Sequence, residues 1–315
     1  MEAIKCIFCN KSSDDVVIEE NGFKGRKCPE CGLIFISPRP TQAEIIGIYA
    51  RNITYARSHR SNDYAGRLTA RNNLEIIKRF KENGSLLEIG SGSGYFLDEA
   101  RKAGYSVCGI ELNEYEAESI NKTFNIPCDN TPLSNSSFGD KKFDIIYHRD
   151  VFSHLYDPIS VFATMNSKLN DDGILAFETG ILGDADLKYF SYINYFEYPG
   201  HLFFLSRASL KKLLARTGFE LQELFVYSLI PKLLFRKLTD PIINKLNRRA
   251  GANNEATEQP SSSNAAFHDS NSGLFNLLKK TYLFLDFFAC YKIGMMVPKD
   301  RRPQTCIIIA RKCDS

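Results

Sequence analysis

Leu86-Leu87-Glu88-Ile89-Gly90-Ser91-Gly92-Ser93-Gly94-Tyr95-Phe96-Leu97 is the stretch on which the reading of this chain turns. The apolar run from Ser85 to Ile89 is too short for a helix and reads as a buried strand. Three glycines at alternate positions end it, and from Tyr95 to Ala103 the apolar spacing becomes helical. A strand, a glycine turn and a helix N-terminus together aim backbone N–H groups at a ligand. Glycine lets the chain turn tightly and approach that ligand with no Cβ in the way.

The turn departs from the dinucleotide fingerprint G-x-G-x-x-G/A, because Tyr95 stands where its third small residue belongs. Glu88, two residues before the first glycine, would repel a pyrophosphate. It suits a cofactor with no phosphate and a cationic end, such as S-adenosylmethionine. A second acid, Glu111, closes the next strand, Val107-Cys108-Gly109-Ile110, where a carboxylate can accept both ribose hydroxyls. Glu88, Gly90, Gly92, Gly94 and Glu111 together resemble motifs I and II of the class I S-adenosylmethionine-dependent methyltransferases. The resemblance implies that Leu112 meets the ribose and adenine beside Glu111. It implies too that Asp129 or Asn130 meets the adenine amine, and that Tyr147 to Arg149, with His148 among them, line the remaining wall.

Strand and helix signals alternate from here, the mark of a parallel sheet covered on both faces. A helix runs from Asn113 to Phe124, and Ile126-Pro127-Cys128 is a third strand. Phe143 to His148 is a fourth strand, Asp157-Pro158 opens a helix to Leu169, and Asn170-Asp171-Asp172-Gly173 is a turn. Ile174 to Glu178 is the fifth strand, Ser206 caps a helix through Ala215, and Leu221 to Tyr227 and Thr305 to Arg311 are the last two strands. Lys142 to Ile146 resembles the family's fourth-strand motif. Val151-Phe152-Ser153-His154-Leu155-Tyr156-Asp157-Pro158 resembles its V-L-E-H-L-x-D-P stretch, with Ser153 in place of the acid. Pro199-Gly200-His201-Leu202-Phe203-Phe204-Leu205-Ser206 resembles a segment of one subgroup, largely bacterial enzymes that methylate sugars and surface glycans.

That subgroup also begins with a ribbon, and this chain does too. Cys6-x-x-Cys9 and Cys28-x-x-Cys31-Gly32 lie 18 residues apart, the spacing of a four-thiolate structural zinc site. Val16-Val17-Ile18 and Gly22-Phe23-Lys24 form a hairpin between the two pairs. Its basic residues are offset by Asp14, Asp15, Glu19 and Glu20, and the whole chain carries a net charge of only +3, so a nucleic-acid partner is not expected. The 315 residues begin with no apolar leader and contain nine cysteines, which together suggest reduced thiols and a cytoplasmic location.

The expected architecture is α/β: a Rossmann-like seven-stranded methyltransferase sheet, with a small N-terminal zinc ribbon and a helical insertion before the last strand. Residues 1–40 form the ribbon, 41–83 a helical collar, 84–228 with 304–313 the core, and 229–303 the insertion. The collar includes segments from Tyr55 to Asn62 and Tyr64 to Phe80. Leu229 to Leu246 and Gly273 to Phe288 are apolar and basic, and Gly251 to Ser272 is a polar loop. Lys279, Lys280, Asp286 and Lys292 interrupt the second apolar run, which argues against a transmembrane helix. Helices of this kind pack on the sheet or a second subunit, or lie on an anionic membrane as a peripheral contact.

Transfer of a methyl group to oxygen needs alignment, exclusion of water and an acceptor for the hydroxyl proton. His154 and His201 are the first candidates for that base, and His148 is third. The aromatic run Tyr189 to Phe196 reads as an acceptor-site lid. The reading is a methyltransferase that uses S-adenosylmethionine on a hydroxyl of a glycan, nucleotide-sugar or related small molecule. A sugar C-methyltransferase is the close alternative. From another class comes a catalytically inactive zinc-ribbon binding protein, against which the full set of glycines and glutamates argues.

Overall fold

The short apolar runs of the sequence assemble into two sheets. The computed structural model describes residues 1–50, 63–249 and 273–313. The collar segment around Tyr55 and the loop 251–272 lie outside these residues. In chain order, β1 (Val16–Glu20), β2 (Phe23–Lys27) and β3 (Ile34–Ile36) precede α1 (Gln42–Ala50) and α2 (Asp63–Lys78). Then come β4 (Ser85–Ile89), α3 (Tyr95–Lys102), β5 (Ser106–Ile110), α4 (Glu114–Phe124), β6 (Cys128–Asp129) and β7 (Phe143–Arg149). They are followed by α5 (Pro158–Ser167), β8 (Leu169–Ile181), β9 (Phe203–Phe204), α6 (Arg207–Arg216) and β10 (Phe219–Ser228). The chain closes with α7 (Ile230–Arg249), α8 (Gly273–Phe288) and β11 (Gln304–Lys312).

The large sheet has seven strands in the order β10-β11-β8-β7-β4-β5-β6. The strands β4 to β8 run parallel, and β11 inserts antiparallel to both β8 and β10. Cys306 to Ala310 of β11 are wholly buried. Its three isoleucines there each contribute about 1.5–3 kcal/mol by leaving water. The order reverses at β4, whose neighbours are β5 on one side and β7 on the other. Such a reversal opens a crevice at the strands' carboxyl ends, and the glycine turn leaves β4 there.

Local chemistry fixes the helices. Asn113 caps α4 by accepting from the Glu116 N–H, and Asp157 caps α5 with Pro158 in its first turn. Ser206 and Ser209 cap α6 reciprocally. Two boundaries differ from the sequence reading. The helix expected to reach Leu169 stops at Ser167, and Asn170 to Gly173 continue β8 instead of turning. The pairing jumps from Phe143↔Leu169 to Ile145↔Ile174, so β8 bulges opposite Asp144 of β7 and absorbs the residues that the pattern assigned to a turn.

The small sheet, β1-β2-β3-β9, takes its fourth strand from far along the chain, since Phe203–Phe204 pairs with Ile34–Phe35. Ribbon residues Phe8, Leu33 and Phe35 accordingly share one core with Phe152, Phe177 and Phe203. The ribbon is therefore welded to the face of the large sheet that carries α5. The opposite face packs on α2 and α3 through Leu74, Ile77, Phe96 and Leu97, and receives Cys290 and Tyr291 from the turn after α8.

Candidate active site

The donor side is built from one continuous stretch. Gly90 and Gly92 adopt φ of +71° and +49°, open to glycine and costly for other residues. A Cβ on Gly90 would come within 2.5 Å of Val151, whereas one on Gly92 would meet nothing within 4 Å and stand in open space. The amides of Gly90 and Ser91 donate to the Ile110 carbonyl, which ties the turn to the end of β5. Glu111 then reaches back: its carboxylate accepts from the Gly92 N–H at 2.7 Å and the Asn113 N–H at 2.9 Å.

Glu88 sits at the foot of this turn, buried, and its Oε2 has no hydrogen-bond partner. Ser93 Oγ is likewise buried without a partner. Burial drives the Glu88 carboxyl well above the usual range, Arg149 works against this, and Glu111 adds to it. Burial also raises Glu111, opposed by the amides it accepts from. A buried carboxylate with an idle oxygen beside a glycine turn fits a ligand that brings a cation and N–H or O–H donors. S-adenosylmethionine has that donor set, and Glu88, Gly90, Gly92, Gly94 and Glu111 are the residues that would hold it.

The next expected contacts, Leu112, Asp129 and Asn130, lie at the ends of β5 and β6. Leu112 lies exposed beside Glu111. Both carboxylate oxygens of Asp129 organise its own loop, one accepting from Thr131 and the other from the Ser137 N–H, and Asn130 is exposed. Burial raises Asp129, but these bonds outweigh it and hold its pKa at about 2. The expectation for His148 is corrected. Its ring alternates onto the α5 face of β7, wholly buried, stacked on Phe177 at 4.8 Å and edge-on to Phe162 at 5.5 Å. Neither ring nitrogen has a hydrogen-bond partner, and burial lowers its pKa to about 3. It is a core residue there, neither base nor pocket wall.

His154 and His201 do come together, with ring centroids 4.6 Å apart. His154 follows β7 on a short 3-10 turn, and its Nδ1 lies 3.2 Å from the Gly200 carbonyl. His201 Nδ1 lies 2.9 Å from the Phe196 carbonyl. A carbonyl only accepts, so Nδ1 carries the proton and Nε2 holds the lone pair. That Nε2 faces Glu197 Oε2 at 3.5 Å. Burial lowers His201 to about 4, partly opposed by the bond to Phe196, so the ring is neutral at pH 7. Burial, with the like charges of Asp150 and Glu20, pushes Glu197 up to about 7.

The sequence reading missed Glu197 and the device that holds it. Glu197 has φ of +63°, a strained conformation for a glutamate. Glu20, at the end of β1, accepts from the amides on either side of it, Phe196 at 2.8 Å and Tyr198 at 2.7 Å. Asn21 Nδ2 adds a bond to the Tyr198 carbonyl. The ribbon's hairpin tip thus grips the segment that carries the His201–Glu197 pair. No spacing in the sequence signals this, because Glu20 reads as an ordinary charged strand end.

A second cluster lies on the α2 side. Glu178 is buried and accepts from Asn73 at 2.7 Å, Tyr291 at 2.5 Å and Thr305 at 3.2 Å. Asn73 also donates to the Tyr147 hydroxyl. Glu178 is thereby pinned as a structural anchor between collar, sheet and insertion. An asparagine on the apolar face of α2, between Leu74 and Ala70, was the only hint.

The ribbon cysteines also meet. The Sγ atoms of Cys6, Cys9, Cys28 and Cys31 all lie within 4.8 Å of one another. Two tight turns present them, closed by bonds from the Asn10 N–H to the Cys6 carbonyl and from Gly32 to Cys28. Burial, with the neighbouring thiols, pushes Cys9 up to about 12. A divalent cation reverses such a shift by stabilising thiolates.

Comparison with known proteins adds to this geometry. The family described as "Methyltransferase domain" matches residues 57–224, just over half of the chain. Ubiquinone biosynthesis O-methyltransferases of two Actinobacillus pleuropneumoniae serotypes are 27% identical over 120 residues, 34% of this chain and 51% of theirs. The chain therefore spans about half the length of these curated relatives. Among solved structures, an O-methyltransferase of a polyketide synthase multienzyme from Brevibacillus brevis is 13% identical with a TM-score of 0.48, covering 78% of this chain and 72% of that one. A cyclopropane synthase from Mycobacterium tuberculosis is 15% identical with a TM-score of 0.47, covering 73% and 78%. Likenesses of this size say nothing about substrate.

Proposed function

We propose, from the premise that this chain belongs to the methyltransferase-domain family, that it is an S-adenosylmethionine-dependent methyltransferase acting on a hydroxyl of a glycan, nucleotide-sugar or related small polar molecule. The observation that carries the reading is Glu88: a buried carboxylate with an idle oxygen at the foot of a glycine turn braced by Glu111. When bound, the cofactor supplies an electrophilic methyl group on a sulfonium. The chain's own residues do the rest. Glu88 offers a counter-charge, and Glu111 keeps the turn closed. The neutral His201 takes the hydroxyl proton on Nε2. Glu197, 3.5 Å away, stabilises the imidazolium that forms.

A zinc ion held by Cys6, Cys9, Cys28 and Cys31 belongs to the same reading. Four thiolates with no open position make a structural site. Metal analysis should return one zinc per chain. Calorimetric titration with S-adenosylhomocysteine and, separately, NADH tests the donor assignment. Binding of the first alone is expected, and binding of neither, or of NADH, overturns it. Methylation assays over nucleotide-sugars and glycolipids then test the acceptor class.

A further inference from the structure

The two helices of the insertion meet over a small apolar patch, Ile243, Tyr282 and Leu283, flanked by polar and aromatic pairs. Arg236 donates to Asp286 through two nitrogens at 2.7 and 2.9 Å, the Tyr282 hydroxyl donates to Asp240 at 2.8 Å, and Phe235 stacks on Tyr282. Their outward faces are apolar. On α7, Leu234, Leu238 and Ile242 recur every fourth residue with exposures of 43%, 73% and 60%. On α8, Leu277, Phe284 and Phe288, spaced seven and four residues apart, are exposed at 60%, 43% and 39%. Globular helices bury such stripes and bond their charges outside.

The charge on these faces is of one sign. Lys237, Lys245 and Lys280 are exposed among the apolar residues. The two acids of segments 229–249 and 273–296, Asp240 and Asp286, are both taken up in the contact between the helices. No described helix is long and apolar enough to cross a membrane. We propose that this surface docks the protein on an anionic lipid bilayer, with the leucines and phenylalanines entering the interface and the lysines meeting the headgroups. A second copy of the chain is a poorer fit, because a self-complementary contact would set lysine against lysine. The surface adjoins the acceptor side: Lys237 Nζ lies 5.0 Å from the Tyr192 ring centroid, on the 3-10 turn Leu187–Tyr192. A membrane-borne acceptor would therefore arrive near the cleft. The proposal goes beyond the methyl-transfer reading and does not depend on it.

Co-sedimentation of the full chain with vesicles decides it. Vesicles of phosphatidylcholine containing about a third phosphatidylglycerol should pellet the protein at low salt, and pure phosphatidylcholine should not. K245E/K280E and L238E/F284E should each weaken binding by about tenfold or more. Both should bind S-adenosylhomocysteine as the wild type does. If L238E/F284E fails to fold, L238S, at a position that touches little, carries the test with the same expectation. Absence of vesicle binding by a wild type that binds S-adenosylhomocysteine overturns the surface and leaves the function standing. Equal binding to neutral vesicles, variants that bind like wild type, or a dimer in sedimentation that L238S dissolves would also overturn it.

Discussion

The proposed donor side comes from Leu86 to Glu111, a single β-turn-α-β passage. The proposed acceptor side gathers Glu20, Asp150, His154, Glu197 and His201 from three separate segments. On the donor side, a short-range pattern sets both conformation and chemistry. On the acceptor side the conformation is imposed from outside, by a ribbon whose hairpin tip holds Glu197 in a left-handed turn. The first side should therefore be sensitive to its own residues alone. The second should be sensitive to the integrity of the ribbon.

Removing the proposed zinc is the widest break. Structural zinc sites contribute on the order of 10 kcal/mol to small domains. Chelation, or Cys28→Ser, is expected to lower the melting temperature by about 10 °C or more. It should also raise amide exchange across 196–204. Affinity for S-adenosylhomocysteine should change little. Loss of that affinity in step with the ribbon would show that the two sides are not separable.

Gly90→Val breaks the other side. The new Cβ meets Val151 at 2.5 Å in a backbone conformation that valine resists. A cost of about 3 kcal/mol and a loss of about 100-fold in S-adenosylhomocysteine affinity are expected. Amide exchange at Phe196 and Tyr198 should stay as in wild type.

Glu197→Gln sharpens the comparison through pH. Burial first, then Asp150 and Glu20, raises the Glu197 carboxyl from 4.5 to about 7 in the folded chain. Between those values the native state holds more protons than the unfolded one, so this group's contribution is complete below pH 4.5 and is lost as pH rises through about 7. Glutamine has no such dependence. The variant should match wild type at pH 4.5 and be more stable at pH 8, by up to about 3 kcal/mol in denaturant titrations. An equal difference at both pH values would contradict the placement of Glu197.

Glu20→Ala is the smallest of the four. It leaves two partly buried amides without an acceptor, at a cost of about 1–2 kcal/mol. Turnover should fall and its pH profile shift as His201 loses its enclosure, while S-adenosylhomocysteine affinity holds. Glu20→Gln, which keeps one acceptor, should recover part of the loss. Unchanged turnover and exchange in Glu20→Ala would mean that the grip is incidental.

The seven strands, the glycine turn, Glu88, Glu111 and the four cysteines were legible in the sequence, because each rests on spacing within a few residues. Alternation of short apolar runs with helical ones fixes a parallel sheet, and two close cysteine pairs fix their own turns. The acidic end of β1 could not announce that it grips Phe196 and Tyr198, nor could Asn73 and Tyr291 announce Glu178. His148 was misread for the same reason. A histidine at a strand end looks available until alternation and the packing of Phe162 and Phe177 assign it to the core. By itself the sequence determined the sheet, its glycine turn and the ribbon's four clustered cysteines, whose geometry follows from backbone chemistry within reach of one turn. Only the tertiary structure decided which histidines meet, what holds Glu197, and which way the insertion's apolar faces point. Those depend on contacts between segments far apart in the chain, and no local preference encodes them.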